Sequence, residues 1–190
     1  MKKVLLGLVV AVASVSAAWA GPETEAFGPA QVAADAMREV AGSDMAFIAA
    51  GMLKSNFDSK DLATLLQFPT DELVVVSLKG SQIRQALERS VSLYPAPNTG
   101  FLQLSGLEAS FSKGAAPEHR ITSVTVGGNK LDDSRTYTVA MPASLARGGL
   151  GYFKVWDRNA ITRTLSGRTM ESILQGKSYN GSAPRWSMGG

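Results

Sequence analysis

Residues 61–107 read DLATLLQFPTDELVVVSLKGSQIRQALERSVSLYPAPNTGFLQLSGL, and the middle of that stretch decides the fold. The run Leu73–Leu78 is β-branched and too continuously apolar to wet one face, which predicts a strand buried along most of its length. Gly80 is expected to stop it, and Ser81 to cap the helix that follows. In that helix Ile83, Leu87 and Val91 fall on one side, with Arg84, Glu88 and Arg89 elsewhere, so one face packs and the other is solvated. A rigid loop containing Pro95, Pro97, Asn98 and Gly100 leads to a second strand from Phe101 to Leu104. The order is strand, crossover, strand. Just upstream, Ser59 is expected to cap a helix over residues 60–67, which delivers the chain to an aromatic turn at Phe68-Pro69-Thr70-Asp71.

Working outward, Pro29 suits a first helical turn, and Ala33, Ala36, Met37 and Val40 form a stripe that ends at Gly42. Ala46–Ala50 reads as a short buried strand. Downstream, strands are expected at 107–112, 121–126 and 136–141, with Gly106 a bend and Gly127-Gly128-Asn129 a tight turn. Phe153 and Trp156 are expected to close the core, and residues 169–175 to form a last short helix. Strands outnumber helices and the helices lie near the front, which predicts an α+β domain with a mixed sheet and a few packed helices. The ends at about 21–28 and 178–190 are poor in apolar residues and are expected to be loose.

The first twenty residues have the grammar of a secretory signal: Lys2 and Lys3, an apolar run to about Ala17, then Ala18-Trp19-Ala20 as a small-x-small cleavage site. The apolar run is short of the ~20 residues a membrane span needs. A single exported domain over 21–190 with no membrane span after signal removal is therefore expected, periplasmic or secreted. There is no cysteine, which removes disulfides, thiolate metal ligands and thiol nucleophiles. Charge is uneven: residues 21–130 hold 9 basic and 12 acidic side chains, residues 131–190 hold 8 and 4. A basic last third favours an anionic ligand or reads as a solvated surface. No nucleic-acid partner is expected.

Four stretches together resemble the C-terminal domain of the bacterial 5'-nucleotidase family. Asp35-Ala36-Met37-Arg38 matches its opening motif. Phe68, Leu73–Val76, Gly80, Ile83, Ala86-Leu87-Glu88 and Phe101–Leu107 match an aromatic turn, a Val-rich strand, a Gly-x-x-(Ile/Leu)-x-x-Ala-Leu-Glu helix and a Phe-Leu-Gln-x-Ser-Gly-Leu strand. The block from Ser123 to Pro142 is close to the family's Val-x-Val-x-Gly-x-Pro-Leu-Asp-Pro-x-Lys-Thr-Tyr-x-Val-Ala, and the glycines of 148–151 follow its last loop. The resemblance implies a substrate-recognition role. In the family, a phenylalanine at the Phe68 position stacks on the nucleobase, and relatives hydrolyse phosphate esters through a separate metallophosphoesterase domain.

The departures are as informative. Where the family has Gly-Gly-Ile-Arg, this chain has Gly51-Met52-Leu53-Lys54, which keeps the positive charge but loses the two-pronged grip of a guanidinium. No asparagine follows Phe68 in register. In the loop Met141–Tyr152, Ser144 stands near the place of the family's second phenylalanine and Leu150 at that of its aspartate. The candidate ligand-binding residues are Lys54, Phe68, Asp71, Arg147, Gly148, Gly149 and Tyr152. Phe68 reads equally as a core residue, Arg147 as an exposed surface arginine, and the glycines as a turn rather than an anion nest.

Nothing points to catalysis by the chain alone. Two-metal phosphoryl transfer needs a set of histidines and carboxylates clamping both ions, and this sequence has one histidine, His119, in a polar loop. Ser144 lacks a nucleophile-elbow context, and no phosphate-binding loop is present. Neither catalytic residues, metal nor cofactor are expected. The expected function is a non-catalytic module for a nucleoside- or nucleotide-like ligand in nucleotide catabolism. The alternatives are the recognition half of a hydrolase acting with a separately encoded metallophosphoesterase, or a structural interaction protein without ligand.

Overall fold

A computed structural model describes residues 21–189; the expected signal segment lies outside them. The buried run around Val75 becomes β2 (Glu72–Lys79), which is hydrogen-bonded on both sides and so has no edge to wet. On one side lies β7 (Thr136–Pro142), antiparallel, and on the other β8 (Ile161–Thr169), also antiparallel. Beyond β7 come β1 (Met45–Ala49), parallel to it, and β3 (Leu102–Ser105), antiparallel to β1. The five-stranded sheet is thus mixed, in the order β3-β1-β7-β2-β8. The expected strand–crossover–strand unit exists, but β7 and β1 stand between its two strands.

A second sheet of four strands runs β6-β5-β4-β9, with β4 at Glu108–Ser112, β5 at Ile121–Val126, β6 at Asn129–Lys130 and β9 at Trp186–Gly189. The chain changes sheets at Gly106. Its φ of +81° and the Asp44 carbonyl oxygen lying where a Cβ would go admit only glycine there. Helix α1 (Gly28–Ala41) packs its alanine-rich face on β1 and β3, and ends on Gly42 in the left-handed conformation. Helix α2 (Gly80–Val91) lies against β2 and β5. Its Glu88 carboxylate accepts the backbone N–H groups of Arg120 and Ile121 at 3.0 and 2.8 Å, tying the two sheets together. Two short helices complete the fold, α3 (Ala143–Ala146) and α4 (Met170–Leu174).

Several expectations are corrected. The strand ends at Lys79, just before Gly80 as expected, but Ser81 is not the cap: Gly80 is already the first residue of α2, and the Gln82 side chain accepts the Lys79 N–H at 3.0 Å. Asp61 rather than Ser59 caps the segment upstream of β2, accepting from Ala63 N–H at 3.1 Å, and only a single 3-10 turn, Leu62–Leu65, forms. The reason is tertiary: Leu66 is drawn into an extended bridge with Leu53. Trp156 is buried as expected, but Phe153 is 65% exposed.

The tail differs most from expectation. Within the segment expected to be loose, Trp186–Gly189 instead form β9, added parallel to β4. Trp186 is buried against Phe101 and Phe111, and its indole N–H donates to Leu102 O at 2.8 Å. Arg185 pairs with Asp35 at 2.7 Å. The leading segment is also pinned. Gln103, fully buried on β3, accepts the Phe27 N–H and donates to the carbonyls of Pro22 and Glu25. Strand β8 has no counterpart among the sequence-based expectations; it is mostly exposed and polar, with irregular register against β2, and so lacks the period-two signal of a half-buried strand.

Candidate functional site

Strand directions bring one group of loops to one end of the five-stranded sheet. The chain leaves β1, β7 and β8 at that end, and it enters β2 and β3 there. The turn at Phe68 therefore meets the loop after β7, although about seventy residues separate them. Phe68 is 52% exposed, so of its two readings, core or surface aromatic, the structure selects the surface. The backbone beneath it is held firmly. Asp71 N–H donates to Phe68 O, Glu171 N–H to Pro69 O, and Met170 N–H to Asp71 O.

Asp71 also ties this turn to the other loop. Its carboxylate accepts the Ser144 N–H at 3.1 Å and the Ser144 hydroxyl at 2.6 Å. These bonds satisfy a free donor in the first turn of α3, as a capping residue does, although the acceptor comes from a distant part of the chain. The Ser144 proton points at a carboxylate that is itself fixed.

From α3 the chain turns through Arg147 and Gly148. Gly148 has a φ of +90° and its Cα faces the Phe153 backbone, so no side chain fits there. Leu150 and Gly151 also take left-handed conformations. Arg89 of α2 stabilises this course: its Nη2 donates to Leu150 O at 2.7 Å, and its guanidinium lies 5.3 Å from the centre of the Tyr152 ring. Tyr152 itself is fully buried. It stacks on Trp156 at 4.6 Å, donates to Gly100 O at 2.5 Å and shares a hydrogen bond with Ser90. Burial raises its phenol pKa well above the ordinary value, and the Ser90 hydroxyl and Arg89 charge only partly oppose this.

Of the sequence-derived candidates, the structure thus gathers Phe68, Asp71, Arg147, Gly148 and Gly149. Asp71 is engaged by Ser144, and Arg147 is exposed and free of ion pairs among the described residues. Tyr152 lies beneath the loop, as its support. Lys54 is elsewhere. Its N–H donates to Leu65 O while Gln67 N–H donates to Met52 O, so Lys54 stands further along this ribbon, away from Phe68, in the wall of a separate cavity. His119 is exposed in the loop between β4 and β5. Among the described residues no three His, Cys, Asp or Glu side chains converge.

Two contributors are invisible to sequence reasoning. Periodicity puts Arg89 on the solvated face of α2, and no local pattern shows that Leu150 O faces it. Ser144 stands out in the sequence only as a missing aromatic, with nothing to connect it to Asp71. What the arrangement offers a ligand is a half-exposed aromatic face on one turn and, on the loop tied to it through Asp71 and Ser144, an exposed guanidinium and glycine-rich backbone.

The model of the 5'-nucleotidase C-terminal domain family matches residues 9–158, and the chain belongs to that family. A 5'-nucleotidase-related protein of Glossina morsitans morsitans is 33% identical over 130 residues, which cover 60% of this chain and 23% of that protein. The trifunctional nucleotide phosphoesterase protein of Bacillus subtilis is 30% identical over 125 residues, covering 60% and 8%. The 5'-nucleotidase precursor of Thermus thermophilus shares the fold with a TM-score of 0.73 at 24% identity, over 87% of this chain and 36% of that one. The NAD nucleotidase of Haemophilus influenzae does so with a TM-score of 0.65 at 19% identity, over 84% and 33%. The matched region thus spans less than a quarter of the two curated relatives. No helix among the described residues is long and apolar enough to cross a membrane.

Proposed function

We propose that this chain is an exported ligand-recognition module for a nucleoside- or nucleotide-like molecule, and that it does not hydrolyse phosphate esters alone. The observation that carries this reading is Phe68: a large aromatic, half exposed, on a turn held by three backbone hydrogen bonds and by the two from Ser144 to Asp71, in a member of a nucleotide-handling family. An aromatic face stacks on any base, contributing about 1–3 kcal/mol, and Arg147 supplies a charge for an anionic group. With Ser144 and Leu150 in place of a second aromatic wall and an acidic contact, binding is weak and tolerant of the base. The ligand occupies the sheet end between Phe68 and the Arg147–Gly149 turn, over the buried Tyr152.

Isothermal titration of the purified protein against nucleosides and their 5'-monophosphates tests this. Saturable binding that Phe68→Ala abolishes supports it, and silence across the panel removes it in favour of an interaction protein without ligand. A second reading is that the domain completes a nucleotidase together with a separate metallophosphoesterase chain. It draws on membership of a 5'-nucleotidase family together with the single histidine and the absence, among the described residues, of three converging potential metal ligands. Affinity capture from a periplasmic extract, scored for phosphatase activity, distinguishes it, since recovery of no such partner excludes it.

A further inference from the structure

A second cavity, of about 760 Å³, lies apart from the Phe68 loops, and none of the other sequence-derived candidates joins Lys54 in its wall. Three segments remote in sequence build it: the leading segment before α1, the loop after β1, and the tail beyond α4. Each is anchored. The buried Gln103 side chain holds Phe27, Pro22 and Glu25 through three hydrogen bonds of 2.8–2.9 Å. The tail joins the loop through Tyr179 N–H to Ser59 O at 2.8 Å and Leu62 N–H to Lys177 O at 2.9 Å. Phe27 meets Phe57 edge to face at 5.9 Å, and the Tyr179 ring closes over Gly28. The shape is therefore preformed rather than opened by a ligand.

The lining has the composition of a small-molecule site, in which aromatic and apolar walls surround a few polar groups, and its volume is within the range of about 300–1,000 Å³ of such sites. Two opposite charges, Lys54 and Glu25, line the same cavity. They do not pair with each other, and among the described residues neither side chain has another partner. Phe27, Phe57 and Tyr179 provide the apolar body of the site. A molecule matching this lining carries a carboxylate for Lys54, an ammonium for Glu25 and aromatic surface for Phe27, Phe57 and Tyr179. A nucleotide, with its string of anionic oxygens, does not match Glu25.

We propose that this cavity binds a small aromatic zwitterion, an aromatic amino acid or short aromatic peptide with free ends. The proposal stands independently of the nucleoside reading, since it uses a different cavity and a different ligand.

The test is saturation-transfer NMR and calorimetry of the full protein with phenylalanyl-phenylalanine, compared with its C-terminal amide and its N-acetyl form. The free dipeptide is expected to bind at least about tenfold more tightly than either capped form, each cap deleting one charge pair. Lys54→Gln should abolish the preference over the amide alone, and Glu25→Gln the preference over the N-acetyl form alone. Both side chains reach solvent, so the variants should keep the wild-type melting curve. Phe57→Ala should weaken all three ligands, and excess nucleoside should not compete. Absence of dipeptide binding overturns the proposal, as does a discrimination among the three ligands that Lys54→Gln and Glu25→Gln leave unchanged.

Discussion

Asp71, in the turn before β2, and Ser144, in the first turn of α3, are joined by two hydrogen bonds from a single residue to a single carboxylate oxygen, at 3.1 and 2.6 Å. This pair links the Phe68 turn to the start of the glycine loop. A site assembled from two loops keeps its geometry only if something couples them, and here one carboxylate adds to the pairing of Leu73 with Pro142 at the end of the β2–β7 ladder.

Asp71→Ala removes both bonds and the acceptor for an α3 N–H. It is expected to cost about 1–2 kcal/mol in urea denaturation, in the range of a lost cap. Ser144→Ala removes only the hydroxyl bond and should cost less. The double variant should fall short of the sum by about 1 kcal/mol, the coupling expected of residues in direct contact.

Phe68→Ala should behave in the opposite way. Because the ring is half exposed, stability should stay within about 0.5 kcal/mol of wild type, while nucleoside affinity falls by the worth of a stacked base, about 1–3 kcal/mol. Parallel melting and titration curves check this. A large loss of stability would mean that the ring belongs to the core.

Tyr152 predicts an alkaline limit. Its folded-state pKa lies above the ordinary 10.0, so folding favours the protonated phenol. The stability this confers is complete below the unfolded pKa of about 10 and declines as pH rises above it, because there the unfolded chain releases a proton that the native state keeps. Denaturation midpoints measured from about pH 8 to 11 should fall above about pH 10. Tyr152→Phe should flatten that decline, and should lower stability at neutral pH by about 1–3 kcal/mol, since the Gly100 carbonyl and Ser90 hydroxyl lose a buried partner.

Trp186→Ala should release the tail. The ring is buried between Phe101 and Phe111, and a large aromatic truncated in a core costs about 3–5 kcal/mol. Hydrogen exchange should then show residues 186–189 unprotected, with β4 losing protection on the side that faced β9.

Arg120 is the buried cation that joins the end of α2 to β5. Its guanidinium donates to the carbonyls of Ala115, Val91 and Tyr94. Arg120→Met leaves three carbonyls without their donor and should destabilise by about 2–4 kcal/mol, measured by thermal unfolding.

What could be read from the chain alone is what depends on near neighbours. The buried β2, the amphipathic α2, the alanine stripe of α1 and the bends at Gly42 and Gly106 follow from periodicity, side-chain size and backbone freedom, all properties of a few consecutive residues. The family resemblance rested on the same local patterns. Only the tertiary structure decided which residues became partners across the fold: Ser144 with Asp71, Arg89 with Leu150, Trp186 with Phe101, and Lys54 with the second cavity rather than with Phe68. It also formed β8 from a polar stretch and β9 from a four-residue segment around Trp186, and the stability of both comes from the strands beside them. Such contacts are set by strand order and by the burial that the whole sheet provides, and no short window of sequence contains either.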